Sequence, residues 1–112
     1  MQVRAVAKNT GVSAYKMRPL VNMVRGKMAD EALTILRFAP SPHALIVSKT
    51  IKTAVNSAEN TYQMSPENLK IIGIYADEAQ TLKRYRASAR RRVSPILRRS
   101  SHITVIVDEQ ED

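Results

Sequence analysis

The chain has 112 residues, 18 Lys and Arg against 10 Asp and Glu, a formal charge of +8, three glycines, no cysteine and no tryptophan. That length supports one domain with one modest core. The lack of cysteine excludes a disulfide framework and thiolate metal sites. Three glycines leave no Gly-rich phosphate loop, no run approaches the roughly 20 apolar residues of a membrane span, and Met1-Gln2-Val3-Arg4 lacks the apolar core of a signal peptide.

In chain order, Gln2 to Ala7 alternates, with Val3, Ala5 and Ala7 on one face, and predicts a strand that Val6 makes imperfect. Lys8-Asn9-Thr10-Gly11 reads as a turn. Ser13 suits the N-cap of a first helix, whose Met17, Leu20, Val21 and Val24 recur at helical spacing and whose end is marked by Gly26 in a left-handed conformation. Pro19 removes one donor from that helix, so the helix either begins near Pro19 or has a distorted first turn. A second helix is expected from Asp30 to Phe38, stopped by Pro40. Ser41-Pro42 then reads as an N-cap and first helical position. The third helix has the strongest periodicity: Ala44, Val47, Ile51, Ala54, Val55, Ala58 and Tyr62 recur at threes and fours, which predicts a central core helix. Leu69 to Ala76 is a strand in which Gly73 marks a bulge or a close approach, and His102 to Val107 is another.

Between these two strands lies the most informative stretch. From Lys83 to Arg99 there are eight cations (Lys83, Arg84, Arg86, Arg90, Arg91, Arg92, Arg98 and Arg99) and no acid, so the other ten cations balance the ten acids and the whole charge excess sits here. A block of like charge is commonly a disordered tail. This one is internal and flanked by strands, which predicts a long hairpin anchored at both ends in one sheet, with sides Thr81 to Arg92 and Val93 to Val107. About 13 extended residues from Asp77 to a tip near Arg90 span on the order of 40 Å, so the tip projects from a body only about 30 Å across. Guanidinium groups held together repel unless a polyanion neutralises them, and nucleic acid is the commonest polyanion. The planar fork of arginine matches phosphate oxygens. Tyr85 can stack on a base or pack across the hairpin. Arg4, Lys8, Lys16, Arg18, Arg25 and Lys27 are candidates to extend the basic surface.

No enzyme signature is present. His43 and His102 read as structural. Asp77 and Glu78 are adjacent and point to opposite faces of a strand. Ser13, Ser41 and Ser65 lack a nearby base, and no His and carboxylate spacing suggests a metal. The chain is thus expected to be no enzyme and to need no cofactor.

Taken together, Ser13-Ala14-Tyr15-Lys16-Met17-Arg18 leading to Val24-Arg25-Gly26-Lys27, Glu31 to Phe38, Ser57-Ala58-Glu59-Asn60, Asp77-Glu78 followed by Leu82-Lys83-Arg84, and Arg98-Arg99-Ser100-Ser101-His102-Ile103-Thr104-Val105 resemble a known family over nearly the whole chain. It is the twenty-second protein of the large ribosomal subunit in its bacterial or organellar form. The resemblance implies an α+β fold, with three helices on a small three-stranded antiparallel sheet and a long protruding β-hairpin. It implies a body of 1–78 and 102–108, a basic hairpin of 79–101 and an acidic tail of 108–112. It also implies partners: large-subunit ribosomal RNA, neighbouring ribosomal proteins, and nascent peptide passing a tunnel lined by the hairpin tip, Ala87, Ser88, Ala89, Arg90, Arg91, Arg92 and Val93. A role in assembly and a place in the ribosome, cytoplasmic or organellar, follow, with no membrane and no homo-oligomer. The family's tip resembles Pro-Arg-Ala-Lys/Gln-Gly-Arg-Ala; here Arg91 replaces the glycine, Pro95 appears, and Ala79-Gln80 stands for the family's Gly-Pro.

Two other classes compete. Three helices and a hairpin superficially match a winged-helix DNA regulator, which needs a recognition helix offering base-reading side chains, whereas the third helix is mostly apolar. A membrane-surface peptide needs a broad apolar face that the basic stretch lacks.

Overall fold

The computed structural model describes residues 2–87 and 93–109; at 82, 84–87 and 93–96 it describes the backbone alone. The elements are β1 (Gln2–Ala7), α1 (Ala14–Val24), α2 (Ala29–Arg37), α3 (Ala44–Tyr62), a short 3-10 turn (Pro66–Asn68), β2 (Leu69–Glu78), β3 (Leu82–Ala87), β4 (Val93–Arg98) and β5 (Ser101–Glu109). The architecture is α+β, as the sequence predicts.

Alternation builds the sheet. Val3 and Ala5 of β1, Ile103, Val105 and Val107 of β5, and Leu69, Ile71, Ile74 and Ala76 of β2 are buried on one face. The antiparallel order is β1-β5-β2, with Val3 opposite Val107 and Ile74 opposite Val105. The register slips between Ile71 and Gly73. There Ile72 is left exposed, and the Tyr75 ring lies so close over Gly73 that an added Cβ would sit 2.9 Å from its hydroxyl. Gly73 therefore serves both as bulge and as close approach.

Helical spacing builds the second layer. Met17, Leu20, Val21 and Val24 of α1 and Val47, Ile51, Ala54 and Ala58 of α3 are buried together with the strand residues in one core. Burying each large aliphatic side chain contributes about 1.5–3 kcal/mol. α3 is the central helix as predicted, but Tyr62 at its end is 46% exposed, while the unpredicted Thr50 is buried. Thr50 satisfies its hydroxyl by donating to the Ile46 carbonyl at 3.0 Å. Lys49, Lys52, Asn56 and Asn60 face outward.

Several boundaries differ from expectation. α1 starts at Ala14 and carries Pro19 inside it. The carbonyl that loses its partner is that of Tyr15, in an exposed first turn. Ser13 sits at the N-cap with extended backbone, but its hydroxyl caps nothing; its carbonyl accepts the Lys16 and Met17 amides instead. α2 is shifted one residue earlier than expected. α3 begins at Ala44 with His43 at its N-cap, so Pro42 lies in a preceding turn. Ser41 still does cap-like work there, its hydroxyl accepting the His43 amide at 3.3 Å. Gly26 has the left-handed φ expected, +79°, but in a type II turn: Arg25 is at φ −63°, ψ 129°, and the Lys27 amide donates to the Val24 carbonyl at 3.2 Å. That turn pins α1 to β2, with reciprocal bonds from Gly26 to Ile71 and from Ile71 to Lys27. β5 runs through Glu109, so Asp108 and Glu109 belong to a strand rather than to a tail; Glu111 and Asp112 lie outside the described residues.

The hairpin leaves the sheet as a second ladder. β3 pairs with β4 from Leu82↔Arg98 to Ala87↔Val93. It is separate from the β2–β5 ladder, which ends at Glu78↔Ser101. A backbone bond from Ala79 N–H to Ser100 C=O at 3.0 Å bridges the joint. The long axis is 67 Å against 27 and 17 Å, and the radius of gyration is 17.2 Å. A compact chain of this length would have about 13 Å. The molecule is therefore elongated; the tip near Arg90, to which the extended-chain arithmetic ran, lies outside the described residues.

Candidate nucleic-acid interface

The joint between body and hairpin is where the fold gathers residues distant in sequence. Three consecutive positions of β5 and its approach, Ser100, Ser101 and His102, each hold the loop that follows β1. The Ser100 hydroxyl accepts the Gly11 amide at 2.9 Å. Ser101 shares a 2.8 Å hydroxyl–hydroxyl bond with Thr10, and its carbonyl accepts the Thr10 amide at 3.0 Å. The His102 Nδ1 accepts the Asn9 amide at 3.1 Å, which fixes its proton on Nε2. Asn9 and Gly11 take positive φ, 54° and 80°, to present these amides. The loop therefore wraps the hairpin root, and α1 starts from it.

This wrapping opens a groove of about 800 Å³ lined by Asn9, Gly11, Val12, Ser13, Lys16, His43, Gln80, Leu97, Arg98, Arg99 and Ser100. Lys16 from the first turn of α1 shares this groove with Arg98, the last residue of β4, and with Arg99 just after it, all three exposed. Among the described residues no acidic side chain lines the groove. Three cations facing a shared concavity raise the local potential and favour a bound anion. The groove's hydroxyl and amide groups match the mix of charged and neutral donors that typically contact a sugar-phosphate backbone.

Of the residues singled out from sequence, the structure brings Lys16, Arg98 and Arg99 together. Arg4, Lys8, Arg18, Lys27 and Lys83 are exposed elsewhere. Arg25 has a structural occupation: it donates to Asn22 Oδ1 at 2.7 Å and to the Ile74 carbonyl at 2.8 Å, with its guanidinium 6.0 Å from the Tyr75 ring centroid. It thereby covers the outer edge of β2. Arg84 and Arg86 lie on β3, where backbone alone is described. Arg90, Arg91 and Arg92, with Ser88 and Ala89 of the expected tip, lie outside the described residues, while Ala87 and Val93 are the last paired positions of the ladder. His43 was missed as a groove residue. Only tertiary packing carries it there, from the start of α3, and no local signal marks it.

Among the described residues no cluster of three or more His, Cys or carboxylate side chains is placed to hold a metal, and no helix is long and apolar enough to cross a membrane. The fold and its root groove define a small basic α+β protein with a charged, concave surface at the root of its hairpin. The chain matches, over residues 5–108, the family described as Ribosomal protein L22p/L17e, and it belongs to that family of large-subunit ribosomal proteins. It is 62% identical to the large ribosomal subunit protein uL22 of Dehalococcoides mccartyi strain 195 over 107 residues, covering 96% of this chain and 98% of that protein. It is 43% identical to the uL22 protein of Clostridium kluyveri strain DSM 555 over 99% of this chain and 100% of the relative. It is 44% identical to that of Syntrophobacter fumaroxidans over 98% and 100%.

Proposed function

We propose that the chain is a non-catalytic structural constituent of the large ribosomal subunit that binds its ribosomal RNA, aids assembly, and lines the nascent peptide exit tunnel with its hairpin. The observation that carries the RNA-binding reading is the convergence of Lys16, Arg98 and Arg99 on one acid-free groove at the root of the arm that holds the chain's entire charge excess. The body, 1–78 and 102–108, rests on RNA. The arm, 79–101, threads between RNA segments whose phosphates neutralise Lys83, Arg84, Arg86 and Arg90 to Arg92. Arg4, Lys8, Arg18, Arg25 and Lys27 add contacts around the body. Mechanistically this is positional work: cations release counterions where RNA helices approach one another, which offsets the cost of fixing an extended arm. Partners are the RNA, adjoining ribosomal proteins and the nascent peptide, in the cytoplasmic ribosome, with one copy of this chain and no cofactor.

The winged-helix reading has less support, because α3 turns its apolar side onto the sheet and the arm extends from β2 and β5 rather than beside a recognition helix. Two experiments test the proposal. Replacing Arg98 and Arg99 with alanine should cut incorporation into large-subunit particles; unchanged incorporation argues against the groove. A photocrosslinking residue at Ser88 should capture nascent peptide in translating ribosomes; capture of RNA alone would remove the tunnel from the reading.

A further inference from the structure

A second, smaller groove of about 280 Å³ lies on the other side of Arg99 and shares Ser13, Leu97, Arg99 and Ser100 with the larger one. Its own features differ in kind. Tyr15, 82% exposed, forms one wall, Leu97, 48% exposed, is beside it, and Glu78 contributes a carboxylate. The Glu78 carboxylate makes no hydrogen bond or ion pair among the described residues, although Arg99 lines the same cavity.

We propose that this groove takes one unstacked guanine of the bound RNA strand, whose backbone runs in the larger groove. The inference rests on the RNA-binding reading and adds a base preference to it. Three considerations lead there. A cavity of this size is smaller than the pockets that take drug-sized ligands and suits a single base. An exposed tyrosine with an apolar neighbour is the usual platform for a splayed-out base, since single-stranded RNA is read by stacking and by contacts to base edges. A carboxylate beside a phosphate path is repulsive unless it accepts hydrogen bonds from the ligand. Guanine alone offers two adjacent donors, N1–H and the N2 amino group, that match both oxygens of Glu78. Adenine and cytosine place a ring-nitrogen acceptor beside their amino group, and uracil flanks its single N–H with carbonyls, so each sets a lone pair against the carboxylate.

The test uses the full chain, nine-nucleotide oligouridine strands carrying one central guanosine, adenosine, inosine or no substitution, and intact large-subunit RNA as reference. The wild type should bind the guanosine strand at least about fivefold more tightly than the adenosine strand, the range a bidentate base contact gives. Inosine, lacking the N2 amino group, should fall between them. Glu78→Gln should bring guanosine down to the adenosine level, while binding of plain oligouridine strengthens as a negative charge leaves. Tyr15→Ala should weaken all purine-bearing strands alike. Intact RNA binding with no guanosine preference, or a preference that survives Glu78→Gln, overturns the base assignment and leaves the RNA reading standing. Failure to bind intact RNA as well as the strands overturns both. Guanosine monophosphate should compete only at concentrations at least about a hundredfold higher, because it supplies one phosphate to the larger groove; competition at the strand's own concentration would reassign the cavity to a free nucleotide.

Discussion

The hydroxyls of Thr10 and Ser101 meet at 2.8 Å across a sequence separation of 91 residues, and Ser101 is fully buried. This bond ties the loop after β1 to the first residue of β5, at the root of the hairpin. Ser101→Ala leaves the Thr10 hydroxyl only its local contacts with Val12, and should cost about 1–2 kcal/mol, the penalty of a half-satisfied buried pair. Thermal unfolding should show a fall of about 4–8 °C per kcal/mol for a domain near this size. The Thr10→Val, Ser101→Ala double variant should recover little of that loss, because it also strips the Val12 amide of the Thr10 hydroxyl that accepts it.

Ile51 is fully buried in the middle of α3, within the core that helices and sheet share. Ile51→Ala should destabilise by about 2–5 kcal/mol through lost burial and the cavity left behind. Urea titration should show the midpoint falling with an unchanged slope; a loss under about 1 kcal/mol would mean that the α3–sheet interface collapses around the gap.

These two sites differ in how readable they are from sequence. Ile51 belongs to a run whose spacing of threes and fours announces a buried helix face, because periodicity is a local property. The charge of the arm is also legible, since a count of Lys and Arg needs no fold. The Thr10–Ser101 tie is not legible, and neither is the groove it shapes. Lys16, His43, Gln80 and Arg98 converge only after the sheet forms, and nothing near His43 in sequence distinguishes it from an ordinary residue before a helix. Ser13 misleads for a related reason: local preference places it correctly at the cap, but its hydroxyl makes no cap bond and the backbone carbonyl closes the first turn alone.

Two glycines should respond to alanine to different extents and for different reasons. At Gly26 a Cβ meets nothing within 4 Å, yet φ is +79°, so Gly26→Ala should cost about 1–2 kcal/mol of backbone strain, and Gly26→Asn less. At Gly73 the backbone is unremarkable in φ, and the added Cβ would press on the far end of the Tyr75 ring at 2.9–3.3 Å. Tyr75 is half-exposed and can swing away. Gly73→Ala should therefore cost less than about 1 kcal/mol, and its NMR signature should be a shifted Tyr75 ring and loss of the Arg25 contact. A larger penalty at Gly73 than at Gly26 would show that the bulge, not the turn, limits this edge of the sheet.

The groove at the hairpin root also makes a quantitative prediction about salt. If Lys16, Arg98 and Arg99 each neutralise one phosphate, each contributes about 0.7–0.9 to the slope of log K against log salt concentration. Lys16→Ala should lower the slope by that amount, and the triple alanine variant by about 2–3. All three side chains are exposed and none has a bonded partner among the described residues, so their removal should leave the unfolding midpoint nearly unchanged. Arg25→Ala is the contrast. Its guanidinium is engaged with Asn22, Ile74 and the Tyr75 ring, so it should lose stability by about 1–3 kcal/mol and change the salt slope less. Equal salt effects from Arg25→Ala and Arg98→Ala would mean that RNA contacts the β2 edge as closely as it contacts the root of the arm.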